Sequence, residues 1–278
     1  MKSKLPLRQR QWYKLDNAAK AFPGQNSSSW SNVFRLSATL TEKIDPEQVK
    51  QNYETDKERF SSDVDYMKDD LVIYLDGKNK GNTEGIWQDL SGNGNHGTIN
   101  GATYNGTNGF EFDGTDDYVA FDDAHFYENI TLEILATPKD LIAGVGEDTD
   151  GLFTAQYKGG HKIGFYLPTP TLQGSSRIDN TYYYVRQTPF ANNKTVHVTY
   201  TADSSYQRLY VDGVLIEEKE VTGTVDAPAD GTKLAIGATH RDNNYVEFFT
   251  GTVYDAKLYS RALSADEVKA DYDEAKEK

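Results

Sequence analysis

Cysteine is absent from the 278 residues. No disulfide framework, thiolate metal site or sulfur nucleophile is therefore available, whichever compartment holds the chain. Long apolar runs are missing as well. The basic opening MKSKLPLRQRQWYK leads into no apolar stretch of signal-peptide length, and no segment approaches the ~20 apolar residues of a membrane-spanning helix, so the sequence predicts a soluble chain without a membrane span. The five histidines, His96, His125, His161, His197 and His240, show no H-x-x-x-H spacing, and no Gly-x-Ser-x-Gly elbow occurs. Those absences argue against a histidine-bound zinc centre and a serine-hydrolase nucleophile. Basic charge is also scarce: 29 Lys and Arg face 43 Asp and Glu, for a formal net charge of −14. Residues 1–60 hold 11 basic and 7 acidic residues, whereas 61–278 hold 18 and 36. A field of that sign over the larger part repels phosphate backbones and predicts no nucleic-acid partner, leaving cations and neutral polar ligands open.

What the chain does contain is enough apolar material, 37% of residues, to bury one sizeable core with room for a small second unit. The segment NVFRLSATL (32–40) alternates as a half-buried strand, and Asp45-Pro46 supplies a helix N-cap and first turn. A strand and a helix cannot enclose a core alone, so residues 1–60 read as a separate N-terminal α/β segment, joined by a linker at 61–69. Beyond residue 70, short apolar alternations are punctuated by Asn-Gly and Asp-Gly pairs, the pattern of an all-β sandwich. RLYVDGVLIE (208–217) reads as a hairpin over a type I′ Asp212-Gly213 turn, with Leu209, Val211, Val214 and Ile216 sharing a pattern of burial. KTVHVTY, KLAIGA and GTVYDAKLY read as further strands, with His197 opposite Val196 and Val198 in a structural role. Ser264 and Glu267 form a capping box for one closing helix. Between Asn-Gly turns, Ile99, Tyr104, Phe110, Phe112, Tyr118 and Val119 are spaced for short strands of a meander.

The motifs DLSGNGNHGT (89–98), GFEFDGTDDYV (109–119), HVTYTADSSYQRLYVDGVLI (197–216), LAIGA (234–238) and FFTGTVYDAKLYSRALSADEVKADY (248–272) occur in this order. Together they resemble the laminin G-like, concanavalin A-like lectin/glucanase jelly rolls of secreted bacterial proteins and phage tail proteins, over residues 70–278. The resemblance implies two antiparallel sheets packed as a jelly-roll sandwich with a C-terminal helix. It also implies an extracellular, cell-surface or virion setting. It implies no catalytic activity, since this fold hosts lectins, adhesive modules and hydrolases alike. WYKLDNAAKAFP and SNVFRLSATLTEKIDPEQVK resemble the first strand and helix of condensation-type, alcohol acetyltransferase-like acyltransferases. No two histidines are adjacent as that family's His-His-x-x-x-Asp motif requires, so residues 1–60 read as a truncated remnant without acyl-transfer activity.

Calcium is the cofactor expectation, because hard cations take several oxygen ligands and the chain places Asp side chains beside Gly-rich backbone. The resemblance assigns a structural calcium to Asp89 and Asp255, with Asp116 or Asp117 added from the neighbouring loop; turn capping is the alternative for Asp89, Asp116 and Asp117. A glycan or other surface ligand is the expected partner. RIDNTYYYVRQ (177–187) combines aromatic faces with planar hydrogen-bonding groups: Tyr182 and Tyr184 share one strand face and Tyr183 and Val185 the other, and one of the two must be core. The candidate ligand-binding residues are Arg177, Asn180, Tyr183 and Arg186. The loop THRDNNY (239–245) has the polarity of a rim. The preferred function is a non-catalytic binding module. One alternative is a glycoside hydrolase using Glu111 and Asp113, which begin the family's E-x-D-x-E pattern before Gly114-Thr115 breaks it; the other is a structural or interaction domain.

Overall fold

Period-two alternation between apolar and polar residues dictates the architecture, because each strand must turn one face toward a partner layer. The computed structural model describes residues 70–276, apart from 124, 140, 142–148 and 167–169. The expected strand at 32–40, the helix opening at Asp45-Pro46, the linker at 61–69 and the acyltransferase-like resemblance of 1–60 lie outside the described residues.

The described chain forms β1 (Leu71–Asp76), β2 (Ile86–Trp87), β3 (Gly97–Asn100), β4 (Thr103–Tyr104), β5 (Phe110–Asp113), β6 (Tyr118–Ala120), β7 (Ile130–Pro138), β8 (Thr149–Gln156) and β9 (Gly160–Tyr166). It continues with β10 (Thr171–Ile178), β11 (Thr181–Gln187), β12 (Val196–Ala202), β13 (Tyr206–Val211), β14 (Val214–Glu220), β15 (Ala235–Ile236), β16 (Thr239–Arg241), β17 (Asn244–Val246), β18 (Thr250–Tyr259) and one helix, α1 (Ala265–Ala275). One antiparallel sheet runs β14-β13-β12-β7-β18-β5-β4, with β1 also paired to β18; the second runs β11-β10-β9-β8-β15-β6-β3-β2. The strands β16 and β17 make a separate hairpin. This is the jelly-roll sandwich expected from the sequence.

The two sheets meet through one apolar cluster, which includes Leu132 and Ile134 of β7 together with Trp87, Phe110, Phe153, Phe165, Tyr200 and Phe249, all 2% exposed or less. Each apolar side chain of this size contributes about 1.5–3 kcal/mol by leaving water. A polar chain is sealed inside this core. His161 Nδ1 lies 2.7 Å from Ser176 Oγ, which also contacts Tyr200 OH, and His161 Nε2 is 2.8 Å from the Tyr127 carbonyl. Burial holds the His161 pKa down, to about 4, so the ring is neutral and structural.

Two expectations change. The stretch around residues 97–120 is not one meander: β3 and β6 belong to one sheet and β4 and β5 to the other, so the chain crosses the sandwich repeatedly. The Asp212-Gly213 turn has φ values of 52° and 71°, as a type I′ turn requires, and Leu209 and Val211 are buried. Val214 and Ile216, however, are 59% and 39% exposed: β14 is the edge strand of its sheet, and the contacts it receives from β11 fall further along it, with Arg186 N donating to Glu217 and Lys219 lying over the Tyr183 ring.

The helix α1 opens on the predicted capping box, with Ser264 Oγ accepting from Glu267 N and Ser264 N donating to Glu267 Oε2. It covers the outer face of the first sheet, where Tyr210, Tyr259, Leu263 and Val268 form a small apolar cluster. Beside that cluster lies a buried charge network that the sequence reading did not identify. Lys257 Nζ is 3.4 Å from Glu133 Oε1 and donates to Asp271 Oδ1 at 2.9 Å; Tyr259 OH donates to Asp271 Oδ2 at 2.8 Å; His197 Nε2 is 3.1 Å from Glu133 Oε1. His197 therefore has the structural role expected of it, as a buried partner of Glu133.

Candidate functional site

The two-residue turn Asp179-Asn180, with φ values of 45° and 66°, fixes the register of β10 and β11. Arg177 then faces Tyr182, Ser175 faces Tyr184 and Gln173 faces Arg186. Val185 is fully buried, so Tyr183 shares its inward face and packs half-buried against Ile178, Val221 and Val225. Tyr182 and Tyr184 lie on the opposite face, Tyr182 exposed and Tyr184 half-buried. The candidate Tyr183 is thus corrected: it is a wall of a small core, and its two neighbours are the outward rings.

The outward residues form a strip. The Tyr182 and Tyr184 ring centroids are 6.3 Å apart with 26° between planes, and Tyr182 is 40% exposed. The Arg186 guanidinium carbon lies 4.3 Å from the Tyr184 centroid, and that of Arg177 lies 5.8 Å from Tyr182, a cation–π contact at each end. Arg177 is held in place by Asn180 Oδ1 at 2.8 Å, Asp226 Oδ2 at 3.4 Å and the Lys158 carbonyl. Asn180 donates its backbone N–H to Asp226 Oδ2 at 2.9 Å. Arg177 and Asn180 therefore brace one end of the strip. Arg186 differs: among the described residues its only side-chain hydrogen bond goes to Gln173 Oε1 at 3.4 Å, and no carboxylate lies within 4.0 Å of its guanidinium. Neither tyrosine hydroxyl has a partner among the described residues. Burial raises the Tyr184 pKa, which keeps the phenol protonated and able to donate. Flat apolar faces flanked by free donors suit a ligand with an apolar ring face and polar edges. The expected rim loop is the β16–β17 hairpin, whose turn at Asp242-Asn243 is tied down by Tyr157 OH donating to Asp242 Oδ2 at 2.6 Å.

The four metal candidates do not converge. Asp89 is buried with its carboxylate fully engaged: Oδ1 accepts from Tyr74 N and Ser91 N, both at 2.9 Å, and Oδ2 accepts from Asn95 N at 2.9 Å and Ser91 Oγ at 2.8 Å. Its role is to fasten the DLSGNGN loop to β1. Asp255 is buried on the outer face of the first sheet, where its charge helps keep Lys257 and His197 protonated. Asp116 and Asp117 do come together, with Asp113 as the third member; one oxygen from each lies within 4.8 Å of the others. Asp117 Oδ2 accepts from Asp113 N at 2.9 Å and Asp113 Oδ1 from Thr115 N at 2.7 Å, so turn hydrogen bonds preset the cluster. Gly101 is required here, because a Cβ at that position would sit 1.9 Å from Asp117 Oδ1. Burial, followed by the Asp113 and Asp116 charges, raises the Asp117 pKa despite the hydrogen bond from Asp113 N. Three crowded carboxylates with no basic partner among the described residues fit a hard cation in donor type and charge.

Glu111 and Asp113 alternate outward along β5, both exposed. Glu111 Oε1 is 3.7 Å from Lys139 Nζ, and Asp113 ends the strand inside the acidic turn. They sit on a solvated strand face.

The fold is a two-sheet jelly-roll β-sandwich of the concanavalin A-like class. A sequence profile described as the concanavalin A-like lectin/glucanases superfamily matches residues 113–269, and the chain belongs to that superfamily. No curated protein sequence matches. Among solved structures, the binding domain of Paraclostridial Mosquitocidal Protein 1 is similar at 16% identity and a TM-score of 0.58, over 75% of this chain and 53% of that one. The botulinum neurotoxin serotype D ligand binding domain in complex with N-acetylneuraminic acid is similar at 16% identity and a TM-score of 0.57, over 75% and 52%. The receptor binding domain of the botulinum neurotoxin C/D mosaic serotype gives 15% and 0.56, over 74% and 52%. The chain spans about half the length of each, and at these identities the likeness is one of fold.

Proposed function

We propose that the protein is a non-catalytic carbohydrate-binding module whose ligand lies along the Arg177–Tyr182–Tyr184–Arg186 strip. The observation that carries this reading is the pair of outward tyrosine rings ending at Arg186, a guanidinium without a carboxylate partner among the described residues of a strongly acidic chain. Sugar rings offer C–H faces to Tyr182 and Tyr184, and their hydroxyls meet the two phenols and the guanidinium. The similar structures are binding domains, one of them solved with N-acetylneuraminic acid, and this supports the assignment over a hydrolase. No helix among the described residues is long and apolar enough to cross a membrane, and a module of this superfamily suits a setting outside the cell.

Asp113, Asp116 and Asp117 would hold a structural Ca²⁺, which neutralises their repulsion and stiffens the β5–β6 turn. The test is isothermal titration of glycans retained on an array by the full chain. Tyr184→Ala is expected to weaken binding by about 1–2 kcal/mol, roughly 5- to 30-fold, with the circular dichroism spectrum unchanged. Turnover of any bound glycan, lost in Glu111→Gln, would reverse the assignment in favour of the hydrolase.

A further inference from the structure

An open cleft of ≈ 900 Å³ lies between the β1–β2 connection and the β3–β4 turn. Its strand residues, Thr103 and Tyr104 of β4 and Phe110 of β5, place it at the β4 edge of the first sheet. One wall is stapled by two asparagines. Asn79 Nδ2 donates to Gln88 Oε1 at 3.2 Å and its Oδ1 accepts from Gly81 N at 3.0 Å; Asn82 Nδ2 donates to the Asp76 carbonyl at 3.0 Å and its Oδ1 accepts from Gln88 N at 3.0 Å. The other wall presents Tyr104, 47% exposed, its ring leaning on Phe110 at 5.5 Å. Fixed walls of this kind do not need to be ordered by a ligand.

The charges of the cleft are unusual for this chain. Most described Lys and Arg side chains have a carboxylate within 4.0 Å or lie over an aromatic ring. Lys78 and Lys80 have neither among the described residues, and both line the cleft. In a chain with 43 acidic residues, two lysines of one loop with no described carboxylate within 4.0 Å of their ammonium groups stand ready for an anion from outside. Glu84 lies on the same rim, and the Asp76 carboxylate, which accepts from Lys78 N at 2.8 Å, stands behind it, so the site fits a ligand with one acid group at the two lysines rather than a polyphosphate.

We propose that this cleft is a second binding site, for a short acidic saccharide whose ring lies on Tyr104 and whose carboxylate or sulfate sits between Lys78 and Lys80. The site is independent of the tyrosine strip on β11.

The full chain is titrated calorimetrically with trigalacturonate and with a heparin-derived tetrasaccharide, which separate carboxylate from sulfate, and with maltotriose and sodium sulfate as controls. At least one acidic oligosaccharide is expected to bind and the controls are not, with affinity falling as NaCl rises from about 50 to about 500 mM. A Lys78→Gln/Lys80→Gln double variant should weaken that binding about tenfold or more, and Tyr104→Ala about fivefold or more. A Tyr182→Ala/Tyr184→Ala double variant should leave it unchanged. The proposal falls if neither acidic probe binds, if sodium sulfate alone matches the oligosaccharides, or if the lysine variant binds as the parent does. Loss only in the Tyr182/Tyr184 variant would also overturn it while leaving the strip in place.

Discussion

Replacing Lys257 with methionine tests how α1 is held on the sandwich. Lys257 is 6% exposed and lies between Glu133 at 3.4 Å and Asp271 at 2.9 Å, side chains 2% and 5% exposed. Methionine conserves the volume but removes the only ammonium among these contacts, leaving two buried carboxylates that repel each other. Removing one partner from a buried ionic cluster costs about 3–5 kcal/mol. With a urea m-value of roughly 3 kcal/mol/M for a domain of this size, the unfolding midpoint should fall by about 1 to 1.7 M at pH 8. The loss should shrink at pH 5. Burial, then the Glu133 charge, raises the Asp271 pKa, so its carboxyl takes up a proton more readily in the fold than in the unfolded chain. For His197, burial alone would lower the pKa, but Glu133 outweighs it and raises it. Both groups bind protons more tightly when folded, so the stability they contribute is fully present at low pH and declines as pH rises through their folded pKa values. A midpoint shift below about 0.3 M, or an equal shift at pH 5 and pH 8, would refute the network as the anchor of α1.

Other outcomes follow from the packing and the acidic turn. Gly174→Ala places a Cβ 2.2 Å from Tyr200 Cδ2 in the fully buried core, and thermal unfolding should show a loss of about 1–3 kcal/mol from overpacking. If Asp113, Asp116 and Asp117 hold calcium, the melting temperature with millimolar Ca²⁺ should exceed that with EDTA, and Asp117→Asn should abolish the difference; identical parent curves would remove the ion. Arg186→Gln should weaken glycan binding about five- to tenfold in titration calorimetry, while Arg177→Gln, which breaks the brace to Asn180 and Asp226, should also lower thermal stability.

The fold was legible where a feature depends on adjacent residues. Asp212-Gly213 specifies its own turn, Ser264 and Glu267 cap their own helix, and the alternation in KTVHVTY places Val196 and Val198 inward whatever lies opposite. Partition between sheets was not legible, because Ile99 and Phe110 carry the same alternation and only pairing assigns them to different layers. The charge network escaped notice for a similar reason: Glu133, His197, Lys257 and Asp271 are far apart in sequence and meet only when α1 docks. At the candidate site the residue types and the segment were readable, but the face was not. The missing signal was local: Asp179-Asn180 as a type I′ turn, together with an inward Val185, sends Tyr183 inward with it.

A glycan array probed with the full chain and with the Tyr182→Ala/Tyr184→Ala double variant tests the central claim most directly. The parent should retain a defined set of glycans, and the variant should lose that set while keeping the parent's circular dichroism spectrum and melting temperature. A parent that retains no glycan, or a variant that retains the same set with equal affinity, would contradict the assignment of the strip.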